Sequence, residues 1–195
     1  MAVNNNWYPM VPKIGLGLGQ VFTYSQAGSS ANPEYTGPPA KLLERVEGNL
    51  GSEWVLVQAS TTVSQYNCVV IDNLGNANNL TSALVASNVY AYGFAQFTAT
   101  QANGSTTAGQ GDFFWALLKA NGGVGINVSP SAGRGVQLYI STTNPGCFTS
   151  SVTSDAIMNI ALQASIGTSA SNPGEAIVRG YVLPALNMAV AGATV

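Results

Sequence analysis

Between Lys41 and Pro184 the chain never sustains a helical period. Short apolar runs, such as Trp54–Val57 and Cys68–Ile71, alternate with clusters of Gly, Asn, Ser and Pro. A strand buries at least one face, so many short strands with such turns predict packed sheets. The expected fold is all-β, an antiparallel β-sandwich or β-barrel of about ten short strands.

Individual segments refine this. Lys41–Glu47 and Ser52–Ala59 flank Gly48-Asn49-Leu50-Gly51 and predict a hairpin. A short helix over Pro39–Glu47 competes, since Pro begins helices well. Further strands are expected at 66–72, 88–100 and 111–119, then at 124–128 after an Asn121-Gly122-Gly123 turn. Others are expected at 135–141 and 175–184. Residues 156–165 fit either a strand or one or two helical turns. Several runs are apolar at consecutive positions, which implies cover on both faces, by a second sheet or by another subunit.

Residues 1–40 differ in texture and read as an extended N-terminal arm or loop, with at most one strand at Gln20–Tyr24; residues 41–195 form the β-domain. The arm's aromatic start needs burial. Trp7, Tyr8, Pro9 and Met10 are therefore candidate contacts with a neighbouring subunit. Phe113-Phe114-Trp115 sets three large side chains in a row, and in a strand these face opposite ways. A core strand explains them. A strand with one face in an intersubunit contact also does, making Phe113 and Trp115 candidate contact residues.

Charge narrows the function. Charged residues are 7% of the chain and the net charge is −2, whereas a soluble protein carries about 25%. Six basic residues scattered over 195 do not make the phosphate-neutralising patch of a nucleic-acid binder. No run reaches the length of a membrane span, and the first residues lack the pattern of a secretory signal. Synthesis in a cytoplasm is expected, with Cys68 and Cys147 as reduced, buried thiols. A polar, nearly neutral surface suits a protein that works inside an assembly.

The chain contains no histidine. That removes histidine-activated nucleophiles and most catalytic zinc and iron sites. A two-carboxylate hydrolase survives the test, with Glu44, Glu47 and Glu53 near one hairpin and Asp112 as a further acid. Charges on a hairpin are more often solvated. Asp72, Asp112 and Asp155 adjoin turn residues, where an Asp commonly bonds its own backbone. Gly15–Gly19 lacks the strand, helix and Lys-Ser/Thr of a phosphate loop. Asn79, Asn103 and Asn127 begin Asn-X-Ser/Thr triplets that chance explains in so Asn-rich a chain. No catalytic, cofactor-binding or metal-binding residue is expected, and no cofactor.

The segments "EWVLVQASTTVSQYNCVVID", "YGFAQFTAT", "GQGDFFWALLKANGGVGINV", "AGRGVQLYISTTNPGCFTS" and "EAIVRGYVLP" together resemble small β-rich proteins of tailed-phage head modules. The resemblance spans roughly residues 41–184 and rests on hydrophobic pattern and turn residues. It implies a capsid decoration, or cement, protein. Such a protein is a non-enzymatic part of the virion that binds the outer surface of an icosahedral shell. Its implied partners are the major capsid protein and itself, often as a homotrimer. A tail- or fibre-associated β-sandwich adhesin for a host glycan is the alternative; it would need an exposed aromatic platform beside Asp or Asn.

Overall fold

The computed structural model describes residues 7–9, 17–18, 21–22, 40–84, 89–97, 111–151, 156–166 and 174–184. The strands are β1 (Val21–Phe22), β2 (Arg45–Gly48), β3 (Ser52–Ala59), β4 (Cys68–Asp72), β5 (Asn76–Asn79) and β6 (Val89–Ala95). They continue as β7 (Phe113–Ile126), β8 (Leu138–Ile140), β9 (Phe148–Thr149), β10 (Ala156–Leu162) and β11 (Gly174–Pro184). The all-β expectation holds.

Five strands close a ring. β3 pairs with β5, β5 with β4, β4 with β6, β6 with β7, and β7 returns to β3. The β3–β5 pair is parallel, so the sheet is not purely antiparallel. β7 then runs on into a second sheet of order β7-β11-β10-β8-β9. β2 lies outside the ring as a hairpin partner of β3, and β1 adds to β7.

This plan explains the unbroken apolar runs. Along β3, Val55, Val57 and Ala59 point into the ring, while Trp54 and Leu56 point outward. Along β7, Phe114 and Leu118 point in, and Phe113, Trp115 and Leu117 point out. The ring is narrow, so most of its interior residues are small: Ala77, Ala95 and Ala116 beside Val and Ile. At Gly93 an added Cβ would lie 3.1 Å from the Ala116 Cβ and 3.3 Å from Ile71 Cδ1. The outer face packs on the second sheet, through Val124, Ile126, Leu138, Ile140 and Phe148. Among the described residues, both faces of these strands are covered by the chain itself.

Two expectations need correction, and the alternative left open at 156–165 is decided. Asn121-Gly122-Gly123 is not a turn; β7 continues through it for 14 residues. Gly123 takes φ +71, and the stretch from Ala176 to Val178 on β11 faces Val124 to Ala120 on β7, two steps against four. The glycines thus supply a bulge that bends the strand from ring to second sheet. The strands are not uniformly short: the 14-residue β7 runs through both sheets, and β11 is 11 residues long. Residues 156–162 are strand, because β10 is paired on both edges, by β11 and β8. The hairpin at 45–59 forms as expected, with Glu47 opposite Glu53 and Gly48 opposite Ser52.

Candidate functional site

Pro9 and Leu18 of the N-terminal arm meet the domain at Gly48, while Val21–Phe22 pairs with β7. Pro9 bridges to Gly48. The Asn49 N–H donates to the Tyr8 carbonyl at 3.0 Å, and the Tyr8 N–H donates to Asn49 Oδ1 at 3.2 Å. Trp7 lies against Trp54, ring centroids 5.2 Å apart. The Trp54 indole N–H donates to Ser52 Oγ at 2.8 Å. A Cβ on Gly48 would stand 2.5 Å from that oxygen and 2.9 Å from Leu18. A side chain at Gly48 would therefore crowd Ser52 and Trp54 of β3 and Leu18 of the arm together.

The expected contact residues divide. Trp7 is 6% exposed, Phe113 5% and Trp115 1%. All three lie in the chain's own main core, so the cover expected from a neighbour is provided within the chain. The physical reason is the ring: the outward face of β3 and β7 is the inward face of the second sheet. Tyr8 is different, at 52% exposure, and Pro9 is half-buried. Met10 lies outside the described residues.

The carboxylates are placed by the hairpin and the ring. Glu53 Oε1 accepts from Arg45 at 2.8 Å and Oε2 lies 2.9 Å from Lys119 Nζ. Both of its oxygens therefore face cations. Arg45 also stacks over Tyr90, 5.3 Å from the ring centroid, and its Nε donates to the Tyr90 hydroxyl at 3.2 Å. Glu47 is the cross-strand neighbour of Glu53 and shares a groove of about 360 Å³ with it and Lys119. Glu47 is exposed. Asp112 is far off: its carbonyl accepts from the Ala59 N–H, six residues along β3 from Glu53, or about 20 Å at ~3.3 Å per residue. Asp72 behaves as a turn residue, Oδ1 accepting from the Leu74 and Asn76 N–H groups at 2.8 and 2.9 Å. Asp155 lies outside the described residues.

Both cysteines are free thiols; Cys68 is buried and Cys147 half-buried. Burial pushes both thiols above their ordinary ionisation range, Cys68 much further. Among the described residues no cluster of His, Cys, Asp and Glu could hold a metal ion, and no helix is long and apolar enough to cross a membrane.

Sequence reasoning missed a seam of side-chain amides between ring and second sheet. Asn67 Nδ2 donates to Asn79 Oδ1 at 2.8 Å, and Asn127 Nδ2 donates to Asn67 Oδ1 at 2.7 Å. Gln96 grips the Gly125 backbone, accepting from its N–H at 3.0 Å and donating to its carbonyl at 3.1 Å. Two of the triplet asparagines, Asn79 and Asn127, thus use their Nδ2 groups internally, Asn79 by donating to the Thr62 carbonyl. The amides looked like surface composition, and no local signal distinguishes a seam amide from a solvated one. No family model, curated protein or solved structure matches this chain.

Proposed function

We propose that this chain is a non-enzymatic structural protein of a tailed-phage virion. On this reading it decorates the outer shell, binding the major capsid protein and bridging capsomers. The observation that carries the reading is the arm. Its Trp7 is sunk in the core while the next residue, Tyr8, is half exposed on a backbone fixed by two hydrogen bonds to Asn49. A large exposed aromatic on a pinned backbone suits a hydrophobic contact with a flat protein wall. Burying such a ring contributes ~1.5–3 kcal/mol, and many copies on one shell add avidity. The resemblance in residues 41–184 is the ground for reading that wall as a capsid.

The adhesin reading needs an open aromatic platform. Tyr90, exposed on β6, has its ring face taken by Arg45, and the Asn49 acceptor beside Tyr8 is taken by the Tyr8 backbone. Both details favour the shell over a sugar. The test is occupancy on purified capsids of the virion that carries the protein. Tyr8→Ala should fold normally and bind the shell roughly tenfold or more weakly. Undiminished occupancy, or binding of the wild-type protein to a glycan array with none to capsids, would overturn the reading.

A further inference from the structure

The chain carries two cysteines, far apart in sequence, and the fold sets them side by side. Cys68 opens β4 of the ring, and Cys147 is the residue before β9 of the second sheet. The Cys68 N–H donates to the Gly146 carbonyl at 2.8 Å. A Cα lies ~1.5 Å from its own nitrogen and ~2.8 Å from the preceding carbonyl oxygen, so this bond holds the two cysteine Cα atoms within about 7 Å of each other. Disulfides span Cα separations up to roughly 7 Å.

The approach is built into the backbone. The Leu80 N–H donates to the Cys68 carbonyl at 2.9 Å, and the Gly146 N–H donates to the Leu80 carbonyl at 2.8 Å. Together with the Cys68–Gly146 bond, these clip the 141–147 loop to the start of β4. The Cys147 carbonyl accepts from the Ser141 N–H at 3.0 Å, and its own N–H donates to the Asn144 carbonyl at 3.1 Å. Gly146 permits the closeness: it holds φ 79, and an added Cβ would stand 2.7 Å from Asn67 Cβ. Cys68 is fully buried in the main core, whereas Cys147 is half-buried and reaches solvent.

We propose that Cys68 and Cys147 are a latent disulfide pair, closed by a low-molecular-weight disulfide such as oxidised glutathione. Cys147, the reachable thiol, reacts first. It gives its proton to solvent, its sulfur bonds to one glutathione sulfur, and the glutathione S–S bond breaks with one thiolate leaving. The Cys68 sulfur, its proton likewise lost to solvent, then bonds to the Cys147 sulfur and expels the second glutathione thiolate. Two cysteine thiols are oxidised to one disulfide, and one glutathione disulfide is reduced to two thiols. The backbone spacing is already in place, so closure asks the two side chains to rotate toward each other. The bond fastens the ring to the second sheet, at the junction that the amides of Asn67, Asn79 and Asn127 also hold. Burial keeps both thiols protonated, which makes the exchange slow at neutral pH. The pair goes beyond the shell reading and does not rest on it.

The experiment starts from the full chain purified with reductant, freed of it, and incubated with excess oxidised glutathione at about pH 8. The product is unfolded, alkylated, weighed intact and digested for peptide mapping. It should take up no alkyl group, weigh two hydrogens less than the reduced monomer, and yield a peptide cross-linked from Cys68 to Cys147. Closing a loop of ~80 residues should raise Tm by roughly 10 °C, and reductant should reverse the rise. Cys147→Ser, at a half-buried position, should fold normally and show no such rise. Cys68→Ala should stop at a glutathione adduct on Cys147. Wild-type thiols that still alkylate after prolonged exposure, a wild-type product that stops at the adduct, a bond formed only between separate chains, or a closed bond that leaves Tm unchanged would each overturn the proposal. None of these results bears on capsid occupancy by Tyr8, so the two failures are distinguishable.

Discussion

The ring of Trp7 stands edge-on to that of Trp54, centroids 5.2 Å apart and planes at 70°. An aromatic from the seventh residue is thereby part of the core that β3 builds. Trp7→Ala should cost about 3–5 kcal/mol in urea unfolding, the range for emptying a large aromatic site. Trp7→Phe should cost much less, because the Trp7 indole N–H has no partner among the described residues. Equal midpoints for Trp7→Ala and the wild-type protein would show that the arm does not stabilise the domain.

The amide seam gives a second prediction. Asn67→Ala leaves Asn79 Oδ1 without the Asn67 donor, and one Asn127 Nδ2 hydrogen without its acceptor while the other still donates to the Gln65 carbonyl. Each orphaned group costs about 1–3 kcal/mol, so the variant should lose roughly 2–6 kcal/mol in total. The seam carries no charge, so the loss should be the same at low and high salt. A loss that shrinks with salt would point to an electrostatic role instead.

Gly125 gives a third. A Cβ there would lie 2.1 Å from Tyr66 Cδ1, against a rigid ring that cannot swing aside cheaply. Gly125→Ala should destabilise by about 3 kcal/mol or more. Tyr66 itself holds φ 69, so Tyr66→Gly both empties the space and relieves the backbone. The double variant Gly125→Ala/Tyr66→Gly should be more stable than the sum of the single losses implies, a coupling read from a double-mutant cycle. Strict additivity would contradict the contact.

The fourth concerns alkaline pH. Burial raises the Cys68 thiol far above its ordinary value of 9.0. An unfolded thiol loses its proton near pH ~8.5, while the folded one keeps it. The unfolded state then binds fewer protons, so stability is full below about pH 8.5 and falls as pH rises, by up to ~1.4 kcal/mol per pH unit for the fully buried Cys68 thiol. Cys147 and Tyr66 are raised in the same direction and add to the slope. Unfolding free energies at about pH 8 and about pH 10 should converge faster toward zero in the wild-type protein than in Cys68→Ala. Identical slopes would mean that Cys68 is not the titrating group.

Local chemistry was legible in the sequence wherever one turn or one run decided the outcome. Gly48-Asn49-Leu50-Gly51 read as a hairpin because left-handed residues between apolar runs allow little else. Asp72 read as a turn residue for the same reason. Unbroken runs such as Trp54–Val57 correctly implied cover on both faces. What covers them was not legible, because ring closure is set by the distant pairing of β3 with β7. That same closure turned Phe113 and Trp115 from candidate contacts into core. The bulge at Gly122-Gly123 looked like a turn, since glycines mark both. β5, with the sequence Asn-Ala-Asn-Asn, has poor strand propensity and exists because its neighbours β3 and β4 pair with it. That Trp7 is buried while its neighbour Tyr8 is exposed was not legible.

The most direct test of the shell assignment is the copy number of this chain in purified virions, by quantitative mass spectrometry against the major capsid protein. A structural decoration protein should be present in fixed stoichiometry with shell subunits. A few copies per particle would place it at the head–tail junction or on a fibre and contradict the account.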